Sequence, residues 1–124
     1  MIVAGVGCRR ACPADAIVVV VRRALALAAC EAAALAAPAF RADEPGLRLA
    51  ATALGLPLAI VDGAALAAVQ PRCITRSARA AETTGFASVA EAAALAVAGP
   101  GGILLLPRIA SGQATCALAR GRAP

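Results

Sequence analysis

Short apolar runs alternate along this 124-residue chain with stretches that carry helix start and stop signals, and few folds accommodate that order. Met1 to Val6 is an apolar run ending in Gly5-Val6-Gly7, read as a buried strand entering a tight turn. Pro13 suits a first helical turn and Asp15 its positive end, so a helix is expected from there to about Ala34. The β-branched stretch Ile17 to Val21 conflicts mildly with that helix, but Arg22-Arg23 and the Ala/Leu run continue it without a turn signal. Pro38 to Arg41 reads as a second strand. Asp43-Glu44-Pro45-Gly46 follows as a polar turn that starts a helix, with Asp43 as its cap and Gly55 as its stop.

Pro57 to Val61 is a third strand, and Asp62 to Ala68 a short helix. Pro71 to Ala87 has no clear periodicity and reads as a long mobile connection with some strand character. Ser88 to Ala98 is the clearest helix: Ser88 as N-cap and Glu91 three residues later form a capping box ahead of an Ala/Leu run. Gly99-Pro100-Gly101-Gly102 stops it. Ile103 to Leu106 and Ala114 to Ala119 are the last two strands, joined as a hairpin through Ser111-Gly112-Gln113. The expected fold is an α/β layered domain with a mixed sheet of about five strands, one domain over residues 1–124 and no internal repeat.

Composition narrows the chemistry. Hydrophobic residues make up 61% of the chain, but alanine supplies 38 positions and buries little per residue, so the core is smaller than the hydropathy suggests. The chain has no His, Lys, Trp, Tyr or Asn. That excludes Ser-His-Asp and Cys-His catalysis, zincin motifs, Schiff-base chemistry and a Walker A lysine. Acid–base work falls to Asp, Glu, Cys, main-chain groups or the ligand itself.

Twelve Arg against seven acidic residues leave a formal charge of +5 and point to an anionic partner, although an all-Arg complement also reflects composition bias. Two Phe as the only aromatics, and Arg spread along the chain, argue against nucleic acid. The five Cys, at positions 8, 12, 30, 73 and 116, form no regular framework, which suits a reduced compartment better than a disulfide scaffold. Cys8 and Cys12 are not spaced as CxxC, and without His no metal site is expected. There is no signal-peptide pattern, and the longest uncharged stretch, Ala92 to Pro107, is broken by glycines. A cytoplasmic protein without a membrane span is expected.

Four segments carry candidate site residues. Gly5-Val6-Gly7-Cys8-Arg9-Arg10 sits between the first strand and helix; Arg10 replaces the third glycine of GxGxxG, so a dinucleotide site is weak. An anion site, with glycines allowing close approach and Arg9 and Arg10 as donors, stands equally with a plain turn flanked by solvated Arg. Asp43 and Glu44 lie near a strand end where ligands gather in open sheets: one serves as general base or anchor, or both serve the helix start. The Ser88 helix start offers free N–H groups to an anion besides its capping role, and Arg108, just after a buried strand, reaches the same edge.

Together these segments resemble the CobE/CbiG C-terminal domain family of cobalamin biosynthesis. The resemblance rests on Gly5-Val6-Gly7-Cys8-Arg9-Arg10, Asp43-Glu44-Pro45-Gly46, Thr84-Gly85, Ser88-Val89-Ala90-Glu91-Ala92-Ala93-Ala94, Pro107-Arg108 and Ala114-Thr115, in order over nearly the whole chain. It implies a three-layer α/β/α arrangement and a role in making the corrin ring. CbiG proteins of the anaerobic pathway open a lactone on a cobalt-precorrin and release acetaldehyde, and carry this domain behind further N-terminal sequence. This chain has no room for that part, so the expectation is the stand-alone, CobE-like form of the aerobic pathway. The family usually has Lys where Arg41 and Arg108 stand, and a small Gly-like residue where Ala11 stands.

The resemblance thus implies a protein that binds a precorrin or corrinoid intermediate, whose acetate and propionate groups suit Arg donors. Scarce aromatics favour a shallow apolar groove rimmed by Arg. The expected ligand-binding residues are Gly5, Gly7, Cys8, Arg9, Arg10, Ser88, Glu91, Arg108 and Thr115, with no resident cofactor. Two alternatives stand beside it. One is a precorrin lactone hydrolase with Asp43 or Glu44 as base. The other is a non-catalytic partner of a pathway methyltransferase, docking through Ala-rich helix faces and residues 71–87. The binding reading requires Arg9 and Arg10 to meet Glu44 and the start of the Ser88 helix at one rim of the sheet.

Overall fold

The computed structural model describes residues 1–86 and 88–122, the side chains of Arg79 and Thr83 excepted. Its five strands are β1 (Ile2–Cys8), β2 (Ala34–Pro38), β3 (Leu58–Val61), β4 (Ile103–Ser111) and β5 (Ala114–Arg120). The helices are α1 (Ala14–Ala28), α2 (Pro45–Leu54), α3 (Gly63–Val69), α4 (Ala78–Thr84) and α5 (Ala90–Ala98), with 3-10 turns at Ala39–Arg41 and Gln70–Arg72. The sheet order is β3-β2-β1-β5-β4. β1, β2 and β3 are parallel, and β5 runs antiparallel to both β1 and β4. The mixed five-strand sheet expected from the sequence is therefore present, with a helical layer on each face.

β1 shows how the layers form. Its side chains alternate between faces. Ala4 and Val6 pack with Ile17, Val20, Val21 and Ala24 of α1 and Leu47 and Ala50 of α2, while Val3 packs with Leu66 of α3 and Leu95 of α5. Ile17, Val20, Val21 and Ala24 repeat at helical spacing and are fully buried. Tertiary burial thus overrides the strand preference of the Ile17–Val21 run.

Four expectations are corrected. First, α1 ends at Ala28, not Ala34, because Ala29 turns left-handed at φ 52, and β2 occupies Ala34–Pro38 instead of Pro38–Arg41. An Ala/Leu run without glycine carries no local signal for that stop; register against β1 selects the strand, pairing Val3 with Ala34 and Gly5 with Ala36. Second, residues 71–87 carry the helix α4 over Ala78–Thr84 and no strand in their described part: Ser77 accepts the Ala80 N–H at 3.1 Å and Gly85 ends α4 at φ 83, while Ala87 lies outside the described residues. Third, the Ser88–Glu91 capping box is absent: α5 starts at Ala90 behind Val89, without a side-chain cap. Glu44, not Asp43, likewise occupies the cap position of α2 and makes no cap bond. Fourth, β4 runs on through Pro107 to Ser111. An edge strand with shifted register tolerates the missing N–H.

Ala29 allows a direct check. A non-glycine residue in the left-handed region at a helix end is strained, and Ala29→Gly should stabilise the protein by about 0.5–1 kcal/mol. Thermal denaturation should show a Tm about 2–5 °C higher; a lower Tm would contradict the left-handed stop. No helix among the described residues is long and apolar enough to cross a membrane.

Candidate functional site

Inserting β5 beside β1 brings distant segments together. β1 ends where β5 begins, with Gly7 opposite Thr115 and Cys8 opposite Ala114. The far end of β4 follows, pairing Ile109 with Cys116. On the other side β2 ends, and its 3-10 turn presents Phe40 and Arg41. Helix α5 starts above the same point. The result is a cleft of about 280 Å³ at the carboxyl end of β1, where open α/β sheets hold their ligands.

The cleft is lined by Arg9 after β1, Arg41 after β2 and Arg108 of β4, together with Gly7, Cys8 and Thr115 and the first residues of α5. Arg41 is fixed twice: its Nε donates to the Cys8 carbonyl at 2.9 Å, and its guanidinium lies 5.1 Å from the Phe40 ring centre. Phe40 in turn stacks on Phe86, with centroids 6.5 Å apart and planes within 5°. Arg9 is exposed and Arg108 half-buried, and among the described residues no carboxylate pairs with either guanidinium. Three cations from three segments therefore face one cleft with donor capacity unused.

The residues expected at the site are distributed unevenly. Gly7, Cys8, Arg9, Arg108 and Thr115 line the cleft. Thr115 Oγ1 donates to the Gly7 carbonyl at 3.3 Å. Gly5 lies under α5, where the helix backbone at Ala90 and Ala94 covers it. Arg10 is exposed and outside the lining, which corrects the expectation that Arg9 and Arg10 share one rim: of the two only Arg9 reaches it. Asp43 is exposed and outside it too. Glu44 accepts the Ala11 N–H at 2.9 Å and so braces the turn that carries Arg9; Ala11 itself is left-handed at φ 57.

Ser88 is buried and tied to Gln70, which accepts its N–H at 3.3 Å and donates to its carbonyl at 2.9 Å. Glu91 is fully buried. Its Oε1 accepts the N–H groups of Ile74 at 2.7 Å and Thr75 at 2.9 Å, and its Oε2 accepts that of Arg108 at 2.9 Å. Burial pushes its carboxyl up, but the Arg108 N–H, the Thr75 side chain and the N–H groups of Thr75 and Ile74 outweigh it and hold it below the ordinary value of 4.5.

Burial raises the Cys8 thiol to about 11, Cys12 adding to the rise and Arg41 opposing it. The group is a neutral thiol near neutral pH, not an activated nucleophile. Among the described residues no cluster of three His, Cys, Asp or Glu side chains is placed to hold a metal. Phe40 and Arg41 were not among the site residues expected from sequence. Their signal was position directly after a parallel strand, masked by reading 38–41 as the strand itself.

The chain is similar to known proteins over nearly its whole length. A family model described as cobalamin synthesis G C-terminus matches residues 2–119. Protein CobE of Sinorhizobium sp is 37% identical over 121 residues, spanning 95% of this chain and 79% of its own. The crystal structure of CobE, a protein from the cobalamin (vitamin B12) biosynthetic pathway, superposes with a TM-score of 0.91 at 40% identity, covering 100% of this chain and 92% of that one. Cobalamin biosynthesis protein chiG from Agrobacterium tumefaciens superposes with a TM-score of 0.81, also at 40% identity, covering 99% and 100%.

Proposed function

The chain belongs to the cobalamin synthesis G C-terminus family, the CobE/CbiG C-terminal family, and from that premise we propose that its cleft binds a precorrin-type tetrapyrrole by the carboxylates at the ring edge. The observation that carries the reading is the convergence of Arg9, Arg41 and Arg108 on one cleft beside the start of α5. A corrin precursor is fringed with acetate and propionate groups, and guanidinium forks match carboxylates bidentately. At about 280 Å³ the cleft falls below the usual range for drug-sized ligands, roughly 300–1,000 Å³. A macrocycle larger than a drug therefore seats an edge there rather than entering whole. Phe40 and the apolar start of α5 supply the surface beside the acid groups.

Titration with hydrogenobyrinic acid, followed by the absorbance of the macrocycle, tests this. Arg9→Ala and Arg108→Ala should each weaken binding by about tenfold, the loss of a charge-assisted hydrogen bond, while Arg10→Ala should change it by less than about twofold. Affinity should also fall as salt rises. No spectral change with the wild-type protein, or equal losses for Arg9→Ala and Arg10→Ala, would sink the assignment.

A further inference from the structure

We infer that Glu91 is the positioning residue of this cleft: its buried carboxylate fixes Arg108 from one side and the segment leading into α4 from the other. The inference rests on the cleft reading above and extends it to a residue that does not touch the ligand. Glu91 is 0% exposed and sits on the first turn of α5, directly after Ala90 of the cleft lining. Its closest partners are main-chain N–H groups from two segments, Ile74 and Thr75 on one and Arg108 on the other, and the Ser88 hydroxyl donates to Oε1 at 3.5 Å.

Both segments supply cleft lining: β4 supplies Arg108 and Ala110, and α4, a few residues beyond Thr75, supplies Ala80 and Thr84. Gln70 holds Ser88 from the same side, so the start of α5 is braced as well. The backbone at Arg108 is half of an edge strand with irregular register, and an edge strand has no outer neighbour to hold it in place. The bond to Glu91 Oε2 supplies that constraint at the β4 residue whose guanidinium faces the cleft.

Glu91→Gln separates the two halves of the clamp. The amide oxygen still accepts from Ile74 and Thr75, while the NH2 group meets the Arg108 N–H donor to donor. Hydrogenobyrinic acid should then bind about tenfold more weakly, and in an Arg108→Ala background Glu91→Gln should cost nothing further, because its effect passes through Arg108. Wild-type affinity in Glu91→Gln while Arg108→Ala weakens binding would overturn the inference and leave the cleft reading standing. So would an undiminished loss in the Arg108→Ala background. Failure of the wild-type protein to bind at all is the separate result that removes the cleft reading, and this inference with it.

A second measurement needs no variant. The amide resonances of Ile74 and Thr75, which lie outside the lining, should shift on titration with hydrogenobyrinic acid along the same saturation curve as that of Arg108. Shifts at Arg9 and Arg108 without any at Ile74 and Thr75 would equally overturn it.

Discussion

Gly5→Ala is expected to cost about 4 kcal/mol or more, lowering Tm by roughly 12–20 °C or leaving no folded protein. A Cβ at Gly5 would be driven into the Ala90 carbonyl oxygen and would lie 2.6 Å from Ala94 N and 2.8 Å from Ala94 Cβ. These are backbone atoms and a stub with no rotamer to yield. Helix α5 must lift off β1, and with it the packing of Ala92, Ala93, Ala94 and Leu95, all buried, against Val3 and Ala119. The ordinary cost of overpacking, about 1–3 kcal/mol, applies where side chains can repack.

Gly63→Ala is the matched control. Its added Cβ would meet only Phe86 Cζ at 3.9 Å, and it stands at the first position of a helix, so its Tm should stay within about 2 °C of wild type. Thermal denaturation of both variants by far-ultraviolet circular dichroism decides the matter. A Gly5→Ala protein as stable as Gly63→Ala would mean that α5 does not lie on β1.

Glu91→Ala should be nearly as damaging, at about 3–5 kcal/mol, because three main-chain N–H groups lose their acceptor in one step. The loss carries a pH signature. The folded pKa of Glu91 lies below its ordinary value, so the folded state binds fewer protons there than the unfolded chain. The stabilisation is complete above the unfolded carboxylate pKa, about 4.3, and disappears as pH falls through the lower folded value.

The Tm gap between wild type and Glu91→Gln should therefore be widest near neutral pH and close progressively below about pH 4.3, where the wild-type side chain becomes an uncharged acid. The Thr75 side chain, Ser88 and Cys73 are further polar neighbours of this network, and the first two do not titrate in this range. The Cys73 thiol is raised by burial and stays uncharged throughout that window, so it does not contribute to the closing gap. A gap constant from pH 7 to pH 3 would show that the Glu91 charge plays no part in holding the fold.

The site was legible in pieces. Gly7, Cys8 and Arg9 announced themselves because a glycine-punctuated strand end followed by Arg is a local pattern. Arg108 did so as the cation after an apolar run. Arg41 was hidden by a four-residue error in placing β2. That error arose because nothing in Cys30 to Ala37 favours a turn over continued helix until β1 offers a hydrogen-bonding partner. Sequence spacing makes Glu91 the partner of Ser88 in a capping box, and the resemblance makes it a ligand-binding residue, but it lies outside the cleft lining. In the folded chain its carboxylate instead reaches Ile74, Thr75 and Arg108, sixteen or seventeen residues away on either side.

What the chain determined alone was whatever depends on adjacent residues: the number of strands, the alternation of strand and helix, and the helix stops at Gly55 and Gly99, each of which adopts a positive φ that most side chains resist. Tertiary structure decided which cations share a cleft. Arg9 and Arg10 are neighbours in sequence, yet only Arg9 lines it, while Arg41 and Arg108 join from 32 and 99 positions away. That choice follows from the insertion of β5 between β1 and β4. Strand order is set by the competition of whole surfaces for burial, a sum over distant pairs that no local pattern encodes.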